Sequence, residues 1–379
     1  MIRKKIGIVF ENSDNWIGGT YYFLNLVSSF KTLQEQQQPE VIIFSWKPED
    51  LNLFSATGYK HISHRNFYIP YNVAEKLLLR LFPHYVKTNV VKKFHAHVVD
   101  AVFPYDYNQK LSLIPCKLFW IPDFQEHYYP DFFNNEELKR RKESQKKISA
   151  ENAVLVLSSR AAEKDFHKFY PEAVCKTKVV NFAVTHPEYK HLNISELKTK
   201  FNIKGNYFIA PNQFWVHKNH MIVLKAMLRF KELFSNVQMV FTGKEYDHRS
   251  PGHTEMLKAF VKDNGLSEYV LFLGFIDRAE QLQLMHHSLA VVQPSLFEGW
   301  STVVEDAKAV GKFVVASDLE VHREQLGTSA YYFNPASEAQ LVNCLERVVK
   351  EKPVPLHISY TENMRKFAES FMEVLNTEE

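Results

Sequence analysis

Short apolar runs alternate with longer amphipathic segments along the chain. The runs are typical of buried strands, and the segments repeat apolar residues every three or four positions, as one face of a helix does. In the first half, the predicted strands are KIGIVF (5–10), EVIIFSW (40–46), VVDAVF (98–103), CKLFWI (116–121), AVLVLSS (153–159) and KVVNF (178–182). Such alternation predicts a parallel sheet with helices on both faces.

A polar stretch over about 185–205, with one short helix, interrupts the alternation before it resumes. The predicted strands of the second series are NYFIAP (206–211), VQMVFTG (237–243), YVLFLGF (269–275), LAVVQPS (289–295), KFVVAS (312–317) and AYYFN (330–334). We therefore predict an α/β protein with two doubly wound, Rossmann-like domains at 1–184 and 185–355, followed by a C-terminal helix within 356–379.

Length and composition agree with this organisation and exclude several classes of protein. A chain of 379 residues suggests roughly two domains. No apolar run approaches the ~18 residues that a membrane helix needs. The three cysteines, Cys116, Cys175 and Cys344, are far apart, which excludes a disulfide framework and paired-cysteine zinc spacing. We expect a cytoplasmic protein.

The charge is distributed unevenly. Residues 1–190 carry 26 Lys and Arg against 20 Asp and Glu, whereas the remaining residues carry 20 against 23. A basic front half suits nucleic acid, anionic lipid or a phosphorylated substrate, but the basic residues do not alternate with aromatics as a nucleic-acid surface would. Lys139–Lys147 is a solvated helix face or, with the amphipathic segment Leu77–Lys93, a peripheral contact with anionic membrane.

Candidate ligand-binding residues follow several predicted strands, where open parallel sheets bind ligands. Gly18 and Gly19 form either an anion-binding helix start or a plain turn. Lys218 lies at a helix start, where a cation opposes the helix dipole, so it either binds phosphate, which explains it better than helix stability does, or is a solvated side chain. Other polar or loop residues at strand ends are Asn212, Gln213, His217, Gly274, Phe275 and Ile276. The last three offer backbone groups and an apolar wall to a planar base, or form a simple loop.

The stretch PSLFEGWSTVVEDAKAVGKFVVASD places Glu298 ahead of a predicted helix. Carboxylates accept hydrogen bonds from vicinal hydroxyls of ribose or a hexose, and free N–H groups at the helix start suit phosphate. The residues that offer these N–H groups are Gly299, Trp300, Ser301 and Thr302. Glu305 and Asp306 are helix-capping residues or further ligands of the hydroxyls.

Histidine pairs give a weaker alternative. His95 and His97, near Asp100, have a spacing that metal sites use, but their segment merges into a buried strand. His286 and His287 are expected on the surface.

With NQFWVHKNH and VLFLGFI, the stretch beginning at Pro294 closely resembles the retaining GT-B glycosyltransferases of family four, the "group 1" family. The match covers about Asn206–Leu345 and is weaker over GGTYYFLNL and WIPDFQEHYYPDFF. The resemblance implies two Rossmann-like domains that face a central cleft, with a C-terminal helix that crosses back to the first domain.

The family's residue roles carry over by motif. Glu298 matches the carboxylate that contacts the donor sugar, and Lys218 matches the lysine that binds the donor diphosphate. Ser301 and Thr302 would present N–H groups to the diphosphate and sugar. The second carboxylate, which contacts the ribose hydroxyls, is Asp306 by register or Glu305 by residue type. Gln213 stands where the family usually has an arginine, so one positive charge is absent or supplied elsewhere.

On the acceptor side, Asp123 resembles the aspartate of the family's acceptor loop, and Gln125, His127 and Tyr128 are expected to line the acceptor site. The chain has no Asp-x-Asp motif, so we expect neither a metal nor a cofactor. The resemblance implies a retaining transfer, by internal return, of a hexose from a UDP- or GDP-linked donor to a saccharide or lipid-linked acceptor in surface polysaccharide synthesis. Two alternatives stay open: a nucleotide-sugar epimerase on the same fold and a non-catalytic partner subunit.

Overall fold

The computed structural model describes residues 3–11, 17–66, 81, 99–105, 116–247, 249–355 and 359–376. The strands are β1 (Lys5–Val9), β2 (Glu40–Ser45), β3 (Ile62–Asn66), β4 (Ala101–Phe103), β5 (Cys116–Ile121), β6 (Val154–Leu157), β7 (Lys176–Val179), β8 (Asn206–Pro211), β9 (Val237–Thr242), β10 (Val270–Phe272), β11 (Val291–Gln293), β12 (Val314–Ser317) and β13 (Ala330–Phe333).

Helices occupy most of the intervals between these strands. They are α1 (Ile17–Ser29), α2 (Asp50–Ser55), α3 (Gln125–Tyr128), α4 (Asn135–Ser149), α5 (Arg160–Phe169), α6 (Ile194–Lys200), α7 (His220–Leu233), α8 (His253–Asp263), α9 (Arg278–His287), α10 (Thr302–Ala309), α11 (Glu320–Leu326), α12 (Glu338–Glu351) and α13 (Tyr360–Val374). Short 3₁₀ turns lie at Phe30–Thr32, Glu35–Gln37, Pro130–Phe132 and Val216–Lys218.

The chain forms two compact units. The first comprises Met1–Pro122, Arg141–Thr185 and Thr361–Glu379, and the second comprises Asp123–Arg140 and His186–Tyr360. The segment Asp123–Arg140 therefore packs with the second unit, although the predicted boundary places it in the first domain.

Each unit is built on one parallel sheet, so the predicted fold class is confirmed. The described strands of the first unit have the order β3-β2-β1-β4-β5-β6-β7, and those of the second have the order β10-β9-β8-β11-β12-β13. In both sheets the first strand of the series lies between the second and fourth, which is the order of doubly wound nucleotide-binding folds.

Two elements differ from the sequence pattern. The strand β3 was not predicted, because its sequence, ISHRN, is mostly polar and its side chains are largely accessible at the sheet edge. The strand β7 begins at Lys176 and ends at Val179, before the apolar residues of KVVNF end. The short helix expected in the polar stretch is α6. The amphipathic segment Leu77–Lys93 lies outside the described residues, except for Leu81, which is exposed.

The core of the second unit covers both faces of its sheet. Phe208 and Met239 point to a cluster that includes residues of α7, whereas Ile209 and Val240 point to a cluster that includes residues of α10. This alternation follows from the two-residue period of strands. Because α7 follows β8 and α10 follows β11, the chain leaves these two adjacent strands toward opposite faces, and a ligand-binding crevice opens at such a point.

The core of the first unit is rich in aromatic rings. Tyr22 stacks on Trp120, with ring centroids 4.4 Å apart. On α13, Phe367 lies 5.8 Å from Tyr22, and Phe371 lies 5.0 Å from Phe103. These contacts fix the C-terminal helix within the first unit.

Candidate functional site

The two strongest candidate residues of the second unit are in direct contact. Lys218 follows β8 and Glu298 follows β11, the adjacent strands at which the chain changes face. Lys218 Nζ lies 2.7 Å from Glu298 Oε1, and the two side chains are 15% and 8% exposed. Residues 80 positions apart thus form one partly buried ion pair.

Three donors converge on a single oxygen of Glu298. Besides Lys218, Gln293 Nε2 donates to Oε1 at 2.7 Å and Ser295 Oγ donates at 2.6 Å. Gln293 Oε1 in turn accepts from Asn212 Nδ2 at 2.9 Å. Among the described residues, none donates to the other oxygen, Glu298 Oε2, so it remains available to accept a hydrogen bond from a ligand.

Hydrogen bonds hold the loop that contains Lys218 against the loop that contains Glu298. Leu296 N donates to His217 O at 2.8 Å. Asn219 adopts a left-handed conformation, with φ of 55°, and its side chain donates to Pro294 O at 3.1 Å and to Pro335 O at 3.0 Å. The Lys218 loop is therefore tied to the start of the Glu298 turn by short, specific bonds.

A glycine is required beside Asn212. A Cβ at Gly243 would lie 2.1 Å from Asn212 O, and Gly243 has φ of 142°, so a side chain there would both clash and strain the backbone. Gly243 N donates to Gly274 O at 2.8 Å. The loops that follow β8, β9 and β10 therefore pack closely at one edge of the sheet.

His217, which precedes Lys218, is buried and neutral. Burial lowers its pKa well below the usual range, and the charges of Lys218 and Arg249 lower it further. Arg249 lies 3.4 Å from His217 Nδ1, pairs with Asp247 at 3.2 Å, and stacks over Trp215 at 4.9 Å.

The segment 123–140 contacts these loops within the second unit. Gln125 Oε1 accepts from Arg249 at 3.4 Å, Tyr129 OH donates to Leu296 O at 3.3 Å, and the rings of Tyr128 and Phe297 are 5.6 Å apart. The predicted acceptor residues Gln125 and Tyr128 therefore lie beside the loops after β9 and β11. Two other predicted residues share this segment: the Asp123 side chain accepts from Gln125 N at 3.1 Å, and His127 is partly buried.

The helix α10 begins immediately after the Glu298 turn. Ser301 caps it, with its hydroxyl accepting from Val304 N at 3.4 Å. Ser301 N donates to Gln325 Oε1 at 3.0 Å. This differs from the prediction that Ser301 offers its N–H to a diphosphate, since that donor is occupied. The N–H groups of Gly299 and Thr302 donate to no described residue, and they lie at the positive end of the helix dipole.

The two neighbouring carboxylates of α10 have different partners. Both oxygens of Glu305 are engaged, Oε1 by Lys308 at 2.8 Å and Gln325 at 3.1 Å, and Oε2 by Tyr360 at 2.9 Å. Glu305 therefore serves packing in this arrangement.

Within the described residues, the hydrogen bonds of the Asp306 side chain are all made by one oxygen, Oδ1. His186 Nε2 lies 2.9 Å from Oδ1, and Arg278 donates to the same oxygen. Burial alone would raise the pKa of Asp306, but Arg278 and His186 outweigh it and lower that pKa. Asp306 Oδ2 has no partner among the described residues, which favours Asp306 over Glu305 as a hydroxyl ligand.

The remaining predicted residues are dispersed. Phe275 is 70% exposed, Ile276 packs partly against the core, and the side chain of Gln213 makes no hydrogen bond within the described part of the chain. Trp300 is partly buried between Gly299 and Ser301. Gly18 and Gly19 lie in the first turn of α1, in the first unit.

The alternative histidine sites gain no support. His95 and His97 lie outside the described residues, and Asp100 accepts from Lys5 N at 2.7 Å. His286 Nδ1 contacts Val310 O at 3.0 Å, and its neighbour His287 is exposed. No group of three His, Cys, Asp or Glu within the described ranges is arranged to hold a metal. No helix in those ranges has the length and apolar character to cross a membrane.

Sequence reasoning missed several side chains that organise the site. Gln293 and Ser295 are fully buried polar residues at the end of an apolar strand, and that position was an available signal. Arg278 and His186 carried no such signal, because they are 28 and 120 residues from Asp306. Arg249 and Gln325 likewise act through contacts between distant segments.

Comparisons with known proteins agree with this geometry. Residues 193–369 match the family model described as glycosyl transferases group 1. The chain is 27% identical over 241 residues to the O-antigen chain mannosyltransferase RfbU of Salmonella typhimurium, covering 63% of this chain and 62% of that protein. It is 31% identical over 110 residues to a phosphatidyl-myo-inositol mannosyltransferase of Mycobacterium leprae, covering 29% of this chain and 27% of that protein. The chain thus aligns with less than two thirds of either relative.

A solved structure matches the fold over the full length. The crystal structure of HepE from Anabaena in complex with UDP and glucose has a TM-score of 0.70 and 16% identity, covering 99% of this chain and 100% of that one. At this identity the likeness establishes the fold.

Proposed function

We propose that the chain, whose residues 193–369 match the family model of the group 1 glycosyltransferases, transfers a hexose from a nucleotide-diphosphate sugar to a saccharide or lipid-linked saccharide acceptor. We further propose that the reaction retains the anomeric configuration, needs no metal and serves the synthesis of a surface polysaccharide. A retaining outcome fits internal return, in which the acceptor attacks from the face of the leaving group.

The observation that carries the proposal is the Lys218–Glu298 pair beside the start of α10. The leaving diphosphate gains negative charge as the bond to the sugar breaks, and preorganised donors aimed at that charge supply most of the catalytic help. The Lys218 ammonium and the N–H groups of Gly299 and Thr302, which donate to no described residue, are such donors. A diphosphate would draw Lys218 partly away from Glu298, whose carboxylate is then freer to bind the donor sugar.

Two carboxylate oxygens are proposed to bind hydroxyl groups. Glu298 Oε2 would accept from the donor hexose, and Asp306 Oδ2 from the ribose. Each accepts no hydrogen bond from a described residue, while its companion oxygen is held by two or more donors. A carboxylate fixed in this way loses little side-chain entropy when a hydroxyl binds.

The other predicted contacts keep their proposed roles. Gly274, Phe275 and Ile276 would adjoin the base, and Asn212 would act through Gln293 on Glu298. The remaining proposed contacts are Gly18, Gly19, Gln213 and Trp300 on the donor side and Asp123, Gln125, His127 and Tyr128 on the acceptor side.

A thermal-shift screen tests the donor proposal. Ligands that bind the folded state raise its melting temperature, by an amount that grows with concentration above Kd. We expect UDP or GDP, and one of their sugars, to stabilise the protein. Mannose is the first hexose to try, because both aligned relatives are named mannosyltransferases. No shift with any of these nucleotides would contradict the proposal.

An activity assay separates the alternatives. Release of the nucleoside diphosphate only with an acceptor supports transfer, whereas conversion of the donor sugar without one indicates an epimerase. Turnover that falls when EDTA is added to the pure enzyme would contradict the metal-free reaction.

We also propose a peripheral contact between α4 and anionic membrane, consistent with a lipid-linked acceptor at the inner face. The helix exposes Lys139, Arg140, Lys142, Lys146 and Lys147. Each basic residue near such a surface contributes about 1 kcal/mol of attraction. Charge reversal at Arg140 and Arg141 should reduce pelleting with vesicles that contain phosphatidylglycerol, and unchanged pelleting would remove this contact from the proposal.

A further inference from the structure

The short helix α11 contacts the Glu298–Thr302 turn from within the core. One of its residues, Gln325, is 7% exposed and binds the backbone of Ser301 on both sides. Gln325 Oε1 accepts from Ser301 N at 3.0 Å, and Gln325 Nε2 donates to Ser301 O at 3.1 Å. The same Nε2 donates to Glu305 Oε1 at 3.1 Å. One side chain therefore fixes a backbone residue at the start of α10 and a carboxylate one turn further on.

A second residue of α11 reaches the same turn through a relay. His322 Nδ1 lies 2.8 Å from Ser317 O, Ser317 Oγ donates to Ser295 O at 2.6 Å, and Ser295 Oγ donates to Glu298 Oε1 at 2.6 Å. Burial lowers the pKa of His322, so the ring is neutral and can donate from Nδ1 to a carbonyl. The helix thus connects to both ends of the turn between Glu298 and Ser301.

Helix capping does not account for the Gln325 bonds. The hydroxyl of Ser301 already caps α10. A buried amide side chain costs free energy unless its hydrogen bonds are made, and Gln325 makes them with the peptide unit on each side of Ser301. Gln325 instead determines the orientation of the peptide units on either side of Ser301, one of which contains the Thr302 N–H. The N–H groups of Thr302 and Gly299 donate to no described residue.

We infer that Gln325 is a positioning residue, which holds the backbone at Ser301 so that the adjacent N–H groups stay aimed at the diphosphate of the donor. This inference rests on the proposed function, since it assigns a ligand to the turn. Electrostatic help at such a site depends on donors that need no reorganisation when charge develops. Loss of Gln325 should therefore weaken binding of the diphosphate and leave contacts with the nucleoside largely intact.

The chain offers a closely matched control. Gln238 is also buried, at 5% exposure, and also binds backbone on both sides: Lys204 N donates to its Oε1 at 2.8 Å, and its Nε2 donates to Glu268 O at 2.9 Å. It lies near the amino end of β9, at the edge of the sheet opposite the site. Gln325→Met and Gln238→Met therefore each remove a buried amide that hydrogen-bonds to backbone through both its oxygen and its nitrogen. Gln325 lies beside the proposed site, and Gln238 lies away from it.

The test combines hydrogen–deuterium exchange with calorimetry of the full chain. In Gln325→Met we expect faster exchange in peptides covering 296–306 and an affinity for UDP or GDP, whichever binds the wild type, reduced about tenfold or more. Uridine or guanosine should bind within about twofold of wild type, and Gln238→Met should change neither the exchange of 296–306 nor the diphosphate affinity. A purely structural role for Gln325 would lower the affinity for diphosphate and nucleoside alike.

Separate results decide the inference and the proposed function. Diphosphate affinity of Gln325→Met within about twofold of wild type, or an equal loss for the nucleoside, overturns the positioning role. If the wild type binds neither UDP nor GDP, the proposed function fails. If, in addition, exchange at 296–306 is unchanged in Gln325→Met, Gln325 does not hold the backbone at Ser301. Should Gln325→Met not fold, Gln325→Asn, which is uncharged but shorter by one methylene group, takes its place, with Gln238→Asn as its control.

Discussion

The two sheets have the same strand order around their first strand, but the buried described side chains at the carboxyl ends of the equivalent strands differ, being polar in the second unit and aromatic in the first. In the second unit, the ends of β8 and β11 carry Asn212, Gln293 and Glu298, joined in one hydrogen-bond network with Lys218. In the first unit, β4 ends at Phe103 and Phe10 follows β1. Both rings are buried, and Phe23 lies 6.1 Å from each.

The same strand order therefore occurs with two kinds of side chain at the sheet edge, and the side chains rather than the topology determine whether that edge is polar. The polar edge of the second unit keeps ionised groups partly accessible, because each carboxylate is held by several donors that offset the cost of burial. The aromatic edge of the first unit is packed against α13 and gains its stability from buried apolar surface. Substitutions in the two regions should therefore affect different properties.

We expect the greatest change from a substitution among the aromatic residues of the first unit, and we expect it in the stability of the protein. Phe371 is fully buried, with its ring 6.0 Å from Phe30 and 5.0 Å from Phe103. Phe371→Ala should lower the free energy of unfolding by about 3–5 kcal/mol, because it removes apolar contacts and leaves a cavity. Urea denaturation measures this change, and nucleotide affinity at low temperature should not change. A loss below about 1 kcal/mol would show that α13 is not part of this core.

Next in size is the effect of removing the cation from the polar region. Lys218→Met keeps the length of the side chain but takes a positive charge from the proposed diphosphate site. We expect kcat/KM for the nucleotide sugar to fall by about 10²–10³-fold, equivalent to about 2.7–4 kcal/mol. Lys225→Met, at an exposed position on α7, is the control and should retain activity. Equal activities of the two variants would contradict the role of Lys218.

The free energy of unfolding should also depend on pH, through His220 at the start of α7, two residues after Lys218. Burial, assisted by the charges of His253 and Lys218, lowers the pKa of His220 to about 3, whereas an exposed histidine titrates near ~6.5. Between these values the unfolded chain binds one more proton, so the free energy of unfolding falls as pH decreases below about 6.5. One such group costs about 2 kcal/mol between pH 6.5 and 5.

His220→Phe isolates that contribution. The histidine ring stacks on Phe214, with centroids 4.5 Å apart, and phenylalanine preserves an aromatic ring there. The slope of the unfolding free energy against pH should decrease in the variant by the equivalent of about one bound proton. Identical slopes for the two proteins, measured by urea denaturation from pH 7 to 5, would contradict the assignment.

The smallest effect concerns the exposed ring after β10. Because Phe275 is 70% exposed, Phe275→Ala should change the free energy of unfolding by less than about 0.5 kcal/mol. If the ring packs on the base, nucleotide affinity should fall by about 0.5–1.5 kcal/mol. If calorimetry gives the same nucleotide affinity for Phe275→Ala and the wild type, the base does not pack on Phe275.

The sequence predicted the strands and helices best where apolar periodicity was strong. It also singled out Lys218, a cation at a predicted helix start, and Glu298, a carboxylate beyond a strand end; the structure places the two side chains 2.7 Å apart, and their roles stay predictions. The pattern of apolar residues did not predict β3, whose polar residues suit a sheet edge. They also failed to distinguish Glu305 from Asp306, since that choice depends on Tyr360, His186 and other partners distant in sequence.

The backbone donors show the same limit. Sequence position suggested that every N–H group at the start of α10 was available to a ligand, yet Gln325 occupies that of Ser301 from 24 residues away. Hydrogen bonds of this kind depend on how separate elements pack, and a single-sequence pattern does not contain that information.

The most direct test of the polar region as a diphosphate site is calorimetric titration of the wild-type protein with UDP, GDP, uridine and guanosine. We predict that one nucleoside diphosphate binds at least about tenfold more tightly than its own nucleoside, and that Lys218→Met abolishes most of this difference. Binding of the nucleoside as tight as that of its diphosphate, or no binding of either diphosphate, would contradict it.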